Sequence, residues 1–141
     1  MPGKVVVVDD ESMIRDLVKR ALLSESVNVV TFGNGADALE YVRSNRVDLV
    51  ITDIVMPQMY GTVLCGEIKA VDPFVQVVLM TAYPRLEDIS AMLEAGAADF
   101  LIKPFEMDTF KQVIHEVFSR IERWKDLRKI WLEGTHKAEV L

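Results

Sequence analysis

The sequence predicts an α/β fold, a three-layer sandwich in which one parallel sheet lies between helices. Five short runs of β-branched and aliphatic residues alternate with five helical patterns along 141 residues. That alternation produces βαβ units with right-handed crossovers. The runs are also almost continuously apolar rather than alternating, as parallel strands covered on both faces require.

The first strand is "KVVVV" (4–8). Ile14, Leu17, Val18, Ala21 and Leu22 follow it with the i, i+3, i+4, i+7, i+8 spacing of a helix buried on one side. "VNVVTF" (27–32) is the weakest strand and suits an edge; Gly33 and Gly35 then turn the chain into a helix marked by Ala36, Leu39 and Val42. "DLVIT" (48–52) leads to a helix with Val63, Leu64 and Ile68, weakened by Gly66. "VQVVLM" (75–80) precedes a helix with Ile89, Met92 and Leu93, which Gly96 closes. "DFLI" (99–102) completes the sheet, and Phe110, Ile114, Val117 and Ile121 define the fifth helix.

Half the residues are hydrophobic and 27% are charged, enough apolar material for a sizeable single core. A net charge of −6 and a pI near 4.9 argue against a broad nucleic-acid or anionic-membrane footprint. Cys65 is the only cysteine, so no intrachain disulfide forms and a reducing compartment is expected. No run approaches the roughly 18 apolar residues of a membrane span. The apolar run near the amino end stops after four valines at two acids, too short for a signal peptide. A cytoplasmic location without membrane contact is the expectation.

The stretch "LVITDIVMPQMYG" (49–61) places Asp53 at the mouth of a hydrophobic strand, where an ionised carboxylate is costly to desolvate. It is not alone. The first strand ends at Asp9, Asp10 and Glu11, the fourth at Thr81 and the fifth at Lys103. In a parallel sheet these ends share one edge, where ligands bind. Singly, Asp10 could cap a helix, Thr81 start a loop and Lys103 be solvated; the joint placement carries the signal. Clustered carboxylates repel and raise a pKa unless a cation intervenes. An oxygen-only donor set suits Mg²⁺, which accepts phosphate oxygens. A metal and an ammonium together stabilise charge on a transferring phosphoryl group, and an Asp carboxylate can be the nucleophile that receives it.

"VVVVDDE", "DIVMPQMYG", "VLMTAY" and "GAADFLIKPF", in that order over residues 4–105, resemble two-component response-regulator receiver domains of the CheY-like superfamily. The resemblance implies a flavodoxin-like, doubly wound (βα)5 sandwich with strand order 2-1-3-4-5. It implies that Asp53 accepts a phosphoryl group from a sensor histidine kinase or phosphotransfer protein. Asp10, Asp53 and the backbone carbonyl of Val55 would ligate Mg²⁺, with Asp9 acting through bound water. Lys103 would pair with the phosphoryl group and Thr81 would hydrogen-bond to it. Phe100 stands where many receivers carry a switch tyrosine, keeping the aromatic ring without the hydroxyl. Val55 and Tyr83 flank the site. Such a chain is a signalling switch, not an enzyme beyond its own phosphorylation and dephosphorylation. It would act by rearranging the face made by the fourth helix, fifth strand and fifth helix, to control an output domain or protein.

Two rivals fail on local sequence. A haloacid-dehalogenase-type phosphatase needs an acid two residues after the nucleophile, where Val55 stands. A flavodoxin-like cofactor carrier needs a Ser/Thr/Gly phosphate loop after the first strand, where "DDES" stands.

The chain divides into a receiver (1–120) and a helical extension (121–141), too short for a DNA-binding output. The segment from 110 reads as one long helix ending near Gly134. Phe110, Ile114, Val117, Ile121, Trp124, Arg128 and Trp131 keep alternating 4/3 spacing, which is heptad-like. Such a stripe suits self-association into a homodimer, folding back onto its own domain, or docking on an output domain. Arg128 at a core position argues against a long, tight coiled coil.

Overall fold

In the computed structural model, which describes residues 3–140 with side chains through Thr135, successive strand residues enter two different cores. Strands β1 (Gly3–Val8), β2 (Val27–Phe32), β3 (Leu49–Asp53), β4 (Gln76–Thr81) and β5 (Asp99–Ile102) form one parallel sheet in the order β2-β1-β3-β4-β5. Val6, Val8, Val50, Val77 and Leu79 face α2 (Gly35–Ser44), α3 (Gly61–Val71) and α4 (Leu86–Ala95). Val5, Val7, Leu49, Ile51, Val78 and Met80 face α1 (Ser12–Ala21) and α5 (Met107–Val140). Both sets are fully buried, which is why these strands lack a polar face. Each such side chain contributes about 1.5–3 kcal/mol by leaving water.

The three central strands differ by one residue from the sequence reading, in a way that matters. Asp48 lies just before β3; its carboxylate accepts the Lys4 backbone N–H at 2.8 Å while its own N–H donates to Lys4 O at 2.9 Å. At the other end the ladder runs further than expected. The Ile54 N–H donates to Met80 O at 2.9 Å and the Lys103 N–H to Thr81 O at 2.8 Å. Asp53 and Thr81 are therefore the last residues of rigid strands.

The helices correct several expected core positions. Ala38, not Ala36, joins Leu39 and Val42 in the core. Leu17 and Val63 are exposed at the margins of their helices. Helix α4 buries only Asp88 and Met92, leaving Leu86, Ile89 and Leu93 in solvent. It packs against α3, and β5, the edge strand on that side of the sheet order, has only four residues.

Helix α5 does not stop near Gly134 but continues to Val140. Gly134 takes no left-handed cap conformation; among the described residues only Gly96, at the end of α4, and Gln58 have positive φ. At ~1.5 Å per residue, a helix of 34 residues is about 50 Å long, well beyond the sheet. Phe110, Ile114 and Val117 fill the core. The later part of the same stripe also turns to its own domain. Trp124 and Trp131 pack on Phe74, with ring centroids 6.3 and 6.0 Å away, and Arg128 is buried.

Candidate functional site

Register alone brings the site together. Val8 pairs with Thr52, Asp53 with Met80 and Thr81 with Ile102, so the residues at and just after these ends meet at the carboxyl edge. Carboxylate oxygens of Asp9, Asp10 and Asp53 lie within 4.8 Å of one another. Asp9 is fully buried and held on two sides. Its Oδ1 accepts the Glu11 N–H at 3.0 Å, and its carbonyl accepts the Arg15 guanidinium at 2.6 Å. Lys103 Nζ reaches into the cluster, 2.9 Å from Asp9 Oδ2 and 3.4 Å from Asp53 Oδ2. Asp10 is exposed, leaving an open side through which a ligand can enter.

Burial lifts the Asp53 carboxyl above its ordinary range; the Lys103 ammonium works against this and the neighbouring Asp9 adds to it. Burial opposes the charge on Lys103 too, but the Asp9 and Asp53 carboxylates more than offset it, and its pKa rises. One ammonium thus stands among three carboxylates, and the site carries unneutralised negative charge. The donors are hard oxygens, close together and partly open to solvent, a set that fits Mg²⁺.

The loop after β3 is held by close backbone approach. Gly61 donates its N–H to Ile54 O at 2.7 Å, and a Cβ there would lie 2.0 Å from the Asp53 carbonyl oxygen. Only glycine fits. Ile54 and Met56 are buried around it, while the Thr52 hydroxyl donates to the Asp53 carbonyl at 3.0 Å. The apolar residues after Asp53 are thus the packing that fixes its backbone.

Of the residues the sequence singled out, Asp9, Asp10, Asp53 and Lys103 converge directly. Thr81, buried at the end of β4, lies beside them through its backbone bond to Lys103. Val55 and Tyr83 are exposed, and Tyr83 lines a cavity of about 490 Å³ with Lys103, Pro104 and Phe105. Phe100 is 48% exposed, so it is not a core residue. Leu86, Ile89 and Leu93 of α4, Ile102 of β5 and Met107 at the start of α5 are exposed as well.

Residues 5–115 match the family described as the response regulator receiver domain. The chain belongs to that family. Among curated proteins, this receiver is 36% identical over 132 residues to the DNA-binding transcriptional regulator NtrC of Escherichia coli (strain K12), covering 94% of this chain and 28% of that protein. It therefore spans less than a third of that relative's length. Among solved structures, the receiver domain protein (CheY-like) of Methanospirillum hungatei superposes with a TM-score of 0.83 at 26% identity, over 87% of this chain and 98% of that one. Chemotaxis protein CheY4 of Vibrio cholerae gives 0.77 at 28% identity, over 83% and 99%. The receiver thus has the CheY-like fold, with a long C-terminal helix added.

One feature of the receiver escaped sequence reading. Asp48 and Asp72 are buried acids at the opposite, amino-end edge of the sheet, and both pair with Arg128. The available signal was the misfit itself: a cation inside an apolar stripe requires acceptors somewhere.

Proposed function

We propose that Asp53 is the phosphoacceptor of a two-component signalling switch, taking its phosphoryl group from a sensor histidine kinase or phosphotransfer protein. The observation that carries this reading is the convergence of Asp9, Asp10, Asp53 and Lys103 at one sheet edge. An Asp53 carboxylate oxygen attacks phosphorus in line with the donor imidazole nitrogen; the P–O bond forms, the P–N bond breaks, and the leaving nitrogen takes a proton. Mg²⁺, when bound, supplies positive charge for the phosphoryl oxygens. Asp9, Asp10, Asp53 and the backbone carbonyl of Val55 are the groups to hold it, with Asp9 acting through a water. Lys103, anchored on Asp9, sits where its ammonium can leave Asp53 for a phosphoryl oxygen. Thr81 offers a hydroxyl to another.

Drawing Thr81 toward the phosphoryl group, and Phe100 inward behind it, favours a second arrangement of the α4–β5–α5 face. The ligand biases that equilibrium only through contacts that differ between the two states. That face controls an output domain or protein. A cytoplasmic location is part of the proposal, in keeping with the absence, among the described residues, of a helix long and apolar enough to cross a membrane. Direct nucleic-acid contact by this acidic domain is not, although the relative NtrC is named as DNA-binding.

Incubation with Mg²⁺ and acetyl phosphate should add one hydroxylamine-labile phosphoryl group. Labelling that persists unchanged in Asp53→Asn overturns the assignment, and labelling without a divalent cation removes the metal's part in it.

A further inference from the structure

We infer that Arg128 is a charge latch that holds the end of α5 against its own domain and keeps its apolar stripe from a second copy of the chain. Arg128 is 3% exposed, and its guanidinium spends its donors on three acceptors. Nη1 donates to Asp48 Oδ1 at 2.7 Å, Nη2 to Asp72 Oδ2 at 2.8 Å and to Val47 O at 2.6 Å, and Nε to Asp72 Oδ2 at 3.2 Å. The acceptors are themselves fixed. Asp48 also takes the Lys4 N–H at 2.8 Å, and Asp72, at the end of α3, takes the Phe74 N–H at 2.9 Å. The latch thus ties α5 to β1, the foot of β3 and α3 at once.

Two halves of one helix are held by different forces. Phe110, Ile114 and Val117 anchor the first half in the core and cannot leave without unfolding it. From residue 121 the apolar anchors are the half-buried Ile121 and the edges of Trp124 and Trp131 on Phe74, with Trp124 still 45% exposed. Charge pairing therefore carries the docking of residues 121–135. If the strap lifts, Asp48 and Asp72 return to water and the domain beneath keeps its core.

The residues that keep heptad spacing are partly covered in the latched state, Ile121 and Trp131 half-buried and Trp124 at the margin, and Leu127 and Ile130 lie exposed on the same strap. A second copy presenting the same stripe is the partner such spacing fits. Arg128 is misplaced in that pairing and fully satisfied in the latch. One side chain thus favours the folded-back state and disfavours the paired one. The inference does not depend on the chemistry at Asp53, and its test leaves that site untouched.

Both tryptophans of the chain lie in the strap, so tryptophan fluorescence, excited at the red edge where tyrosine does not absorb, reports on it alone. Arg128→Leu removes the latch and places an apolar residue in the stripe. Its emission should shift to the red, and amides of residues 121–135 should exchange about a hundredfold faster, as when one partner of a buried charge pair is lost. Exchange in the five strands should not change, and sedimentation should show a dimer that Trp124→Ala with Trp131→Ala returns to monomer. Unchanged emission and exchange would show that there is no latch. A released strap in a protein that stays monomeric would remove the second copy, as would a wild type already as dimeric as the variant. If strand protection is lost and Arg128→Leu does not fold, Asp48→Asn with Asp72→Asn gives the same release by keeping shape and removing charge; a strap still protected there overturns the latch.

Discussion

The two edges of the sheet carry the same kit of charges and use it in opposite ways. At the carboxyl edge Lys103 lies 2.9 Å from Asp9 and 3.4 Å from Asp53. At the amino edge Arg128 lies 2.7 Å from Asp48 and 2.8 Å from Asp72. Each is one cation between two largely buried acids. The guanidinium is a planar fork whose several donors meet fixed acceptors together, whereas an ammonium is a point charge on a flexible stem. The amino edge is accordingly saturated. The carboxyl edge also holds Asp10 and leaves negative charge over, a set of oxygens that could take a further cation. Closure at one edge and incompleteness at the other follow from the donor geometry of each cation and from the third acid, Asp10, at the carboxyl edge.

The largest effect should come from removing the cation at the open edge. Lys103→Met leaves Asp9 and Asp53 buried without an ammonium and should cost about 3 kcal/mol of metal-free stability at neutral pH. Urea unfolding checks it, and a loss no larger than that of an exposed lysine would mean the two edges are not alike.

Arg128→Lys tests the fork itself, since it keeps the charge and gives up the parallel donors. A loss of about 2 kcal/mol is expected, because hydrogen bonds to charged groups are given up. The converse exchange, Lys103→Arg, should leave metal-free stability nearly unchanged while impairing phosphorylation. Equal tolerance of both exchanges would dissolve the contrast.

A smaller effect has the opposite sign. Asp53 has its pKa raised from 3.8 in the folded protein, so the native state holds this proton more tightly than the unfolded chain does. That contribution is fully present below the ordinary value and is lost as pH rises through the raised one. Above that window the ionised carboxylate opposes folding. Asp53→Asn should therefore stabilise the metal-free protein at neutral pH, raising its Tm, and have no such effect in strong acid. Thermal melts with excess chelator across pH 3–8, an interval of about this size around the carboxylate range, measure it. Added Mg²⁺ should favour the wild type by linkage and erase the difference.

The smallest change lies between the edges, where no charge is paired. Burial pushes the Cys65 thiol up to about 11, with Lys69 opposing. Its Sγ faces the Ala95 carbonyl at 3.5 Å. Alkylation at pH near 8 should run roughly a hundredfold slower in the native protein than in urea, from the thiolate fraction alone. Equal rates would show that the α3 layer opens readily, and the edge comparisons would then need correcting for local unfolding.

What the sequence determined by itself was everything set by local pattern. Near-continuous apolar runs marked buried parallel strands, and the residues that terminate them named Asp9, Asp10, Asp53, Thr81 and Lys103 before any geometry was known. The carboxyl ends of parallel strands necessarily meet, so reading the strands was enough to assemble that edge. The expected core positions at Ala36, Leu17, Val63, Ile89 and Leu93 were less secure, since periodicity locates a helix face without saying how far the neighbouring layer reaches. The amino edge was decided by tertiary structure alone. Asp48, Asp72 and Arg128 come from a strand foot, a helix end and a distant helix, and no rule of spacing links them. In the sequence Arg128 is only a cation interrupting an apolar stripe. Whether such a cation disrupts a pairing or secures a latch depends on acceptors 56 and 80 residues away in the chain, which only the folded chain brings within hydrogen-bonding distance.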